Sequence, residues 1–113
     1  MGHYVPERGD IIWLNFSPQM GHEQAGHRPA FVISSSNYNR KTGLAICCPI
    51  TNQIKGYPFE VILPEASKVR GTILSDQMKN LDWRVRGAKW IDTMPADITK
   101  EVTAKITAII SSH

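Results

Sequence analysis

The feature that most constrains this fold is a series of short apolar runs that fills the first two-thirds of the chain. Gly, Pro and Asn residues separate the runs, which are rich in Val, Ile, Tyr and Phe. Runs of this length and spacing are typical of the strands of a β-sandwich or barrel. The predicted strands are residues 11–16, 30–34, 44–50, 57–63, 71–74 and 84–91.

The last part of the chain changes its period. After Pro95, a residue that suits the first position of a helix, apolar side chains recur at helical spacing. They form one stripe, and the charged residues of the segment lie off it. The stripe consists of Ile98, Val102, Ile106, Ile109 and Ile110. We therefore predict a C-terminal amphipathic helix of about four turns that covers one face of a mostly β fold.

Length and charge set broad limits on domain organisation and partners. A chain of 113 residues with 42% hydrophobic side chains suits one compact domain with one core, residues 1–113. Lys and Arg number 13 against 10 Asp and Glu, which gives a net charge of +3. This mildly basic balance permits a polyanionic partner without requiring one.

The sequence shows no sign of export or membrane insertion. The N-terminal stretch MGHYVPERGD lacks the apolar core of a signal peptide, and no later run approaches the length of a membrane span. We therefore expect a cytoplasmic protein that does not contact a membrane.

The two cysteines, Cys47 and Cys48, are adjacent within a predicted strand, LAICCPI. Neighbouring side chains on a strand point to opposite faces, so a disulfide between them would be strained. We expect both to be reduced thiols that serve in packing.

The most unusual segment is a loop with the sequence GHEQAGHRP, residues 21–29, between two predicted strands. It places His22, Glu23, His27 and Arg28 within seven residues. Loops that a rigid sheet holds in place often carry function. This loop is therefore the candidate functional site.

Metal and nucleophile chemistry fit the loop poorly. His22 and His27 are five residues apart, whereas the zinc metalloprotease signature needs histidines four apart on one helical face. Gly26 and Pro29 disfavour a helix, and no cysteine pair has zinc-ligand spacing. No Gly-x-Ser-x-Gly elbow exists, and the cysteines lie within a strand. We therefore expect neither a metal nor another cofactor.

Phosphate chemistry without a metal fits better. Arg28 offers a planar, permanently charged fork that suits phosphate oxygens. Glu23 could accept a proton, and His27 could donate or accept one. Together they could support attack by an RNA 2′-hydroxyl on the adjacent phosphate, which needs a base, an acid and charge stabilisation. The alternative is an Arg–Glu ion pair that only rigidifies the loop.

The chain resembles the MazF/PemK toxin family over nearly its whole length. The GHEQAGHRPA loop followed by the KGYPFEV strand is the specific part of the match, whereas RGDI alone would be a weak one. The matching stretches are YVP at 4–6, RGDIIW at 8–13, Phe16, GHEQAGHRPA at 21–30, VISSSNYN at 32–39, CPIT at 48–51, KGYPFEV at 55–61, SDQ at 75–77 and WR at 83–84.

The resemblance implies a fold, an activity and partners. The fold is a small SH3-like barrel of the CcdB/Kid/MazF type with a C-terminal helix, assembled as a homodimer. The activity is that of an mRNA interferase, a sequence-selective endoribonuclease that cleaves single-stranded RNA without metal and leaves 2′,3′-cyclic phosphate and 5′-hydroxyl ends. The partner is an antitoxin protein of a type II toxin–antitoxin system, whose C-terminal segment wraps the dimer.

The resemblance also implies roles in catalysis. Arg28 matches the family's catalytic arginine, Thr51 its catalytic threonine, and Glu23 a loop glutamate implicated in activity; His27 precedes the arginine in some relatives. Because arginine does not ordinarily lose its proton, we assign Arg28 to stabilising the phosphate. Thr51 would donate a hydrogen bond to a phosphate oxygen, although a strand-end threonine can also simply close a turn. Glu23 or His27 would be the base.

RNA binding should come from exposed groups near the loop, since single strands are bound by stacking on aromatic rings and by hydrogen bonds to base edges. Phe16 is the candidate stacking platform, Asn15 and Gln77 are candidate base readers, and Lys55 and Lys79 are candidate phosphate contacts.

Each of these side chains also has a structural interpretation. Phe16 could belong to the core, and each lysine could lie on a solvated face. Trp13 and Trp83 are interpreted as packing or dimer residues.

Two other functions remain as alternatives. A gyrase poison on the same barrel, as in the CcdB relatives, depends on a Trp-Gly-Ile ending, whereas this chain ends in Ile110-Ser111-Ser112-His113. A non-catalytic SH3-like adaptor would have no need of Glu23, His27 and Arg28.

Overall fold

The structure, a computed structural model, describes residues 3–16 and 26–111. It confirms the mostly β fold with a C-terminal helix. The strands of the described residues are β1 Asp10–Asn15, β2 His27–Val32, β3 Leu44–Thr51, β4 Glu60–Ile62, β5 Thr72–Leu74, β6 Lys79–Asp82 and β7 Lys89–Thr93. In the same described ranges the α-helices are α1 Ser36–Thr42 and α2 Ala96–Ser111, and a turn of 3-10 helix lies at Ser75–Gln77.

The strands form an antiparallel sheet in the order β4-β5-β3-β2-β1-β7, and β6 also pairs with β3. The long strand β3 divides its length among three neighbours. Residues 44–47 pair with β6, residues 47–49 with β2, and residues 50–51 with β5. This exchange of partners along one strand curves the sheet into the predicted SH3-like barrel.

Among the described residues the buried side chains form two clusters, so the expectation of a single core is wrong. Consecutive residues of a strand point to opposite faces, and β1, β2 and β3 each feed both clusters. The helix core comprises Ile11, Phe31, Cys48, Ile50, Val61, Leu63, Ile73, Met94, Ile98, Val102 and Ile106. The tryptophan core comprises Ile12, Leu14, Ala30, Val32, Ala45, Cys47, Leu81 and Trp83.

The cysteines lie as predicted. Cys47 belongs to the tryptophan core and Cys48 to the helix core, and both are free thiols. Burial raises the pKa of each thiol from 9.0 to about 12. Both side chains therefore stay protonated at neutral pH and serve in packing.

Helix α2 confirms the predicted C-terminal helix. Ile98, Val102 and Ile106 are buried in the helix core. The predicted stripe is too long, because Ile109 and Ile110 are 39% and 72% exposed and the last turn extends past the core. Neither α1 nor α2, the α-helices in the described ranges, has the length and apolar character needed to span a membrane.

Helix α1 was not predicted from the sequence. The Ser35 hydroxyl caps its N-terminus by accepting from Tyr38 N at 3.2 Å. Gly43, with φ +74°, closes its C-terminus by donating its N–H to the Asn39 carbonyl at 3.0 Å. Capping groups therefore define this short polar helix, which has no apolar stripe.

The predicted strand over 84–91 is wrong in its position. The chain turns there, since Arg86 N donates to the Asp82 carbonyl and Val85 N to the Asp82 carboxylate, each at 3.1 Å. The strands on either side of this turn are β6, which was not predicted, and β7. The predicted strand over 57–63 shortens to β4.

Candidate active site

Arg28 and Thr51 lie where β2 and β3 separate. The ladder between these strands pairs Ala30 with Pro49, after which Ile50 and Thr51 pair with β5 instead. If the register of β2 and β3 continued for two more residues, Arg28 would face Thr51. Both residues line two adjoining pockets, of about 340 and about 350 Å³. The structure thus brings together the arginine and threonine that the sequence singled out.

The first pocket, here called the lysine pocket, adds two of the predicted RNA-binding residues, Lys55 and Gln77. Its walls come from the end of β3, the loop before β4 and the 3-10 turn after β5. The lining residues are Arg28, Pro49, Ile50, Thr51, Gln53, Lys55, Tyr57, Glu60, Leu74 and Gln77.

The loop that presents Lys55 is organised by Glu60, a buried carboxylate on β4. One carboxylate oxygen accepts from Lys55 N at 3.1 Å; the other accepts from Gly56 N at 3.1 Å and Tyr57 N at 3.3 Å. Hydrogen bonds to a charged acceptor are the strong ones, so Glu60 fixes the loop's path. Sequence reasoning missed this role, for which the spacing of Lys55-Gly56 and Glu60 was the available signal.

Tyr57 joins the two sides of the lysine pocket. Its hydroxyl donates to an Asp76 carboxylate oxygen at 2.7 Å. This hydrogen bond, together with the negative charge of Asp76, raises the pKa of Tyr57. Because Gln77 follows Asp76 directly, the contact ties the loop bearing Lys55 to the turn bearing Gln77.

The second pocket, here called the arginine pocket, shares Arg28, Ile50 and Thr51 with the lysine pocket. His27 lines it, and its ring is stacked on Trp13 with 6.0 Å between centroids and 17° between planes. His27 Nδ1 is buried and has no hydrogen-bond partner among the described residues. The lining residues are His27, Arg28, Pro29, Ile50, Thr51, Asn52 and Arg70.

Three predicted RNA-binding residues line neither pocket. Asn15 is buried at the end of β1, where its carbonyl accepts from Arg86 at 3.1 Å. Phe16 is half-buried against the tryptophan core, and Lys79 is exposed on β6. The structure therefore places these side chains apart from the two pockets, and their roles in RNA binding stay predictions.

The other predicted residues divide into two groups. Glu23, like His22, lies outside the described residues, so its catalytic role stays a prediction. Trp83 is confirmed as a packing residue: it is buried, and its indole N–H donates to the Asn39 carbonyl at 3.0 Å.

Within residues 3–16 and 26–111, no three His, Cys, Asp or Glu side chains are grouped so as to hold a metal ion.

Known proteins match the sequence over nearly its full length. The model of a family described as the PemK-like, MazF-like toxin of type II toxin–antitoxin systems matches residues 7–110. The endoribonuclease toxin MazF of Escherichia coli K12 is 47% identical over 110 residues, covering 97% of this chain and 98% of that protein. Endoribonuclease PemK of Escherichia coli is 31% identical over 109 residues, covering 93% and 82% respectively.

Solved structures match the fold equally well. MazF from Deinococcus radiodurans in its Form-I crystals superposes with a TM-score of 0.86 at 49% identity, covering 96% of this chain and 98% of that one. The MazE–MazF structure (Form-II) from the same organism gives a TM-score of 0.87 at 42% identity, with 98% and 100% coverage. The chain therefore belongs to the PemK/MazF family of toxins from type II toxin–antitoxin systems.

Proposed function

We propose that this chain, an endoribonuclease toxin like its relatives, cleaves single-stranded mRNA in the groove formed by the lysine and arginine pockets. One observation carries the proposal: Arg28 and Thr51 line both pockets. A phosphodiester held at this pair would have a nucleotide-binding surface on either side of it. Selectivity for short RNA sequences would come from the side chains that line those surfaces.

The proposed reaction is attack by a 2′-hydroxyl on the adjacent phosphate. A new bond forms between the 2′-oxygen and phosphorus, and the bond to the 5′-oxygen breaks. The products are a 2′,3′-cyclic phosphate and a 5′-hydroxyl. The Arg28 guanidinium binds the phosphate and stabilises the charge that grows on its oxygens. Glu23 or His27 takes the proton of the attacking hydroxyl, and the departing 5′-oxygen takes up a proton, from the protonated base or from water, to become the 5′-hydroxyl.

Thr51 suits the role of hydrogen-bond donor. Its hydroxyl oxygen accepts the backbone N–H of Gln53 at 3.2 Å, which also closes the turn after β3. A hydroxyl that accepts one hydrogen bond still has its own hydrogen to donate. Thr51 therefore both closes the turn and offers a donor to a phosphate oxygen.

The test is cleavage of a purified single-stranded transcript by purified protein in EDTA. We expect cleavage, with 2′,3′-cyclic phosphate and 5′-hydroxyl ends, and none with Arg28→Ala. Cleavage that EDTA abolishes and zinc or magnesium restores would refute the metal-free mechanism. A protein that leaves RNA intact would instead return the gyrase-poison and adaptor functions to consideration. Comparing Glu23→Gln with His27→Gln under single-turnover conditions identifies the base, whose loss gives the larger fall in rate.

The partner in the cell is a cognate antitoxin. We propose that a disordered, acidic, aromatic-bearing tail of the antitoxin covers the groove, because Arg28 and Lys55 in the groove, and Lys79 on β6 outside it, attract carboxylates as well as phosphates. Short single-stranded RNA and the tail should displace each other, and both affinities should fall as salt rises. A ternary complex in which neither affinity changes would show that the sites are separate.

We also propose that residues 1–113 act as one domain and that the protein is a homodimer in the cytoplasm, where its substrate lies. The family resemblance supports the dimer, and the exposed apolar side chains are candidates for its interface, because the buried centres of homodimer interfaces are rich in apolar and aromatic residues. The exposed side chains include Trp13, Ile54, Ile62, Val85, Trp90 and Ile110. Sedimentation at micromolar concentration should show a dimer, and a monomer would refute the proposal.

A further inference from the structure

Arg70 lies in the loop between β4 and β5 and lines the arginine pocket together with Arg28 and Thr51. Its side chain is exposed. Neither a carboxylate nor any other described residue forms a hydrogen bond or ion pair with the Arg70 guanidinium, whose donors are thus left available to a ligand. Neither the sequence patterns nor the family resemblance pointed to this residue.

Gly71 fixes the position of Arg70. Gly71 has φ +124°, and a Cβ atom at this residue would lie 2.1 Å from the Thr51 carbonyl oxygen, so only glycine fits. The Gly71 carbonyl accepts from Leu63 N at 2.9 Å, and the next residue, Thr72, pairs with Thr51 in the sheet. The backbone that carries Arg70 is therefore packed directly against the backbone of Thr51.

The arginine pocket contains two guanidinium groups, whereas the lysine pocket contains one. Arg28 and Thr51 belong to both, whereas Arg70 belongs to the arginine pocket alone. An RNA strand carries one phosphate for each nucleotide. A strand with its reacting phosphate at Arg28 and Thr51 presents its next phosphate to one of the flanking pockets.

We propose that the arginine pocket holds a nucleotide that flanks the cleavage site and that Arg70 binds its phosphate. The proposal rests on the proposed ribonuclease function and extends it to a second phosphate contact. The pocket, at about 350 Å³, falls in the usual range for small-ligand sites. Contacts to phosphate position a nucleic acid without specifying its bases. Arg70 therefore adds affinity for longer RNA, and other residues select the sequence.

The experiment compares Arg70→Gln with a matched control, Arg40→Gln. Arg40 is an exposed arginine on α1 that lines neither the lysine pocket nor the arginine pocket. Cleavage sites are first mapped on a single-stranded transcript with the wild-type protein. Three oligonucleotides are then made around one site: one with three nucleotides on each side, and two shortened to a single nucleotide on one side or the other.

We expect Arg70→Gln to raise the KM of the full oligonucleotide about three- to tenfold, as loss of one exposed charged contact would, with kcat nearly unchanged. On one of the two shortened oligonucleotides, the wild type and Arg70→Gln should have equal KM, because the phosphate that Arg70 binds is missing. Arg40→Gln should match the wild type throughout.

A binding measurement makes the test independent of catalysis. The full oligonucleotide is given a 2′-deoxy sugar at the cleaved position, and its affinity is followed by fluorescence anisotropy as salt is varied. Arg70→Gln should reduce the slope of log affinity against log salt by about 0.7, the value for one phosphate contact on a single strand.

The outcomes separate the two proposals. An Arg70→Gln defect that is the same on all three oligonucleotides, an unchanged KM, or an unchanged salt slope overturns the role of Arg70. If the wild-type protein cleaves no site, the ribonuclease function is refuted, and the same salt titration on a mixed-sequence single-stranded RNA still tests the contact: an Arg70-dependent slope there supports the phosphate contact.

Discussion

The carboxylate of Glu60 accepts the backbone N–H of Gly56 at 3.1 Å, reaching from β4 back to the loop that precedes it. Lys55 N and Tyr57 N donate to the same carboxylate. Lys105 on α2 holds the far side of the loop by donating to the Pro58 carbonyl at 2.6 Å. The position of Lys55 in the lysine pocket therefore depends on a buried acid that does not itself need to touch RNA.

Glu60→Gln should loosen this loop. The amide keeps one acceptor oxygen but places an NH₂ group against a backbone N–H. We expect KM for RNA to rise several-fold while kcat changes little, and the free energy of unfolding to fall by about 1–3 kcal/mol. Steady-state kinetics and urea unfolding measure the two effects. Glu65→Gln, at an exposed carboxylate in the next loop, is the control and should change neither quantity. A fall in kcat with constant KM would contradict the positioning role.

Arg28→Lys should reduce activity more than its conserved charge suggests. Lysine keeps the charge but loses the two-pronged donor geometry that matches a phosphate. We expect kcat/KM for RNA to fall by more than about tenfold, or about 1.4 kcal/mol of transition-state stabilisation, with the thermal unfolding temperature unchanged. Arg40→Lys is the matched control and should retain full activity. A smaller loss in a folded variant would show that Arg28 does not contact the transition state.

Gly71→Ala should destabilise the protein far more than Gly87→Ala. Both glycines have positive φ, +124° and +64°, so alanine strains the backbone at either position, by about 1–2 kcal/mol. A Cβ at residue 71 also meets the Thr51 carbonyl, whereas a Cβ at residue 87 has no neighbour within 4 Å. We expect Gly71→Ala to cost at least about 2 kcal/mol more in chemical denaturation. Equal losses would mean that β5 and β3 separate easily at this point.

The buried thiols predict a loss of stability at high pH. The pKa of Cys47 and of Cys48 rises from 9.0 to about 12 on burial. Below pH 9, the folded and unfolded chains both keep these thiols protonated. Between pH 9 and 12 the unfolded chain binds fewer protons, so the free energy of unfolding falls as pH rises, by at most about 1.4 kcal/mol per pH unit for each thiol.

Urea unfolding at a series of pH values measures this slope. The Cys47→Ala/Cys48→Ala double variant should be less stable at pH 7, because it loses packing, but its stability should fall less steeply above pH 9. Tyr4 and Tyr57 also have raised pKa values and are present in both proteins, so the difference in slope belongs to the thiols. Parallel slopes would contradict the assignment.

The sequence predicted those elements that have a strong apolar period. Strands β1 and β3 alternate between two cores, and α2 repeats its buried residues at helical spacing, so pattern alone located them. Helix α1 and strand β6 are largely polar. Caps and pairing with β3 stabilise them, and neither leaves a periodic signature in the sequence.

The candidate site likewise contains some residues that the sequence predicted and others that it did not. Arg28 and Thr51 were found through short motifs of the family resemblance, and the structure brings them together. Arg70 was missed because its position depends on the pairing of Thr51 with Thr72, a contact between distant parts of the chain. Glu60 was missed because its spacing from Lys55-Gly56 is only a weak signal, and its three backbone hydrogen bonds form only in the folded loop.

The adjacent cysteines of β3 have a consequence for folding fidelity. Cys47 fills one core and Cys48 the other, with β2 paired alongside both. A shift of β3 by one residue would reverse which face each side chain occupies. Both cores would then receive the wrong shapes at once, and Thr51 would move away from the position facing Arg28. A misaligned β3 thus loses packing on both faces of the sheet. The packing that favours the correct alignment of β3 therefore also favours the structure in which the arginine and threonine meet.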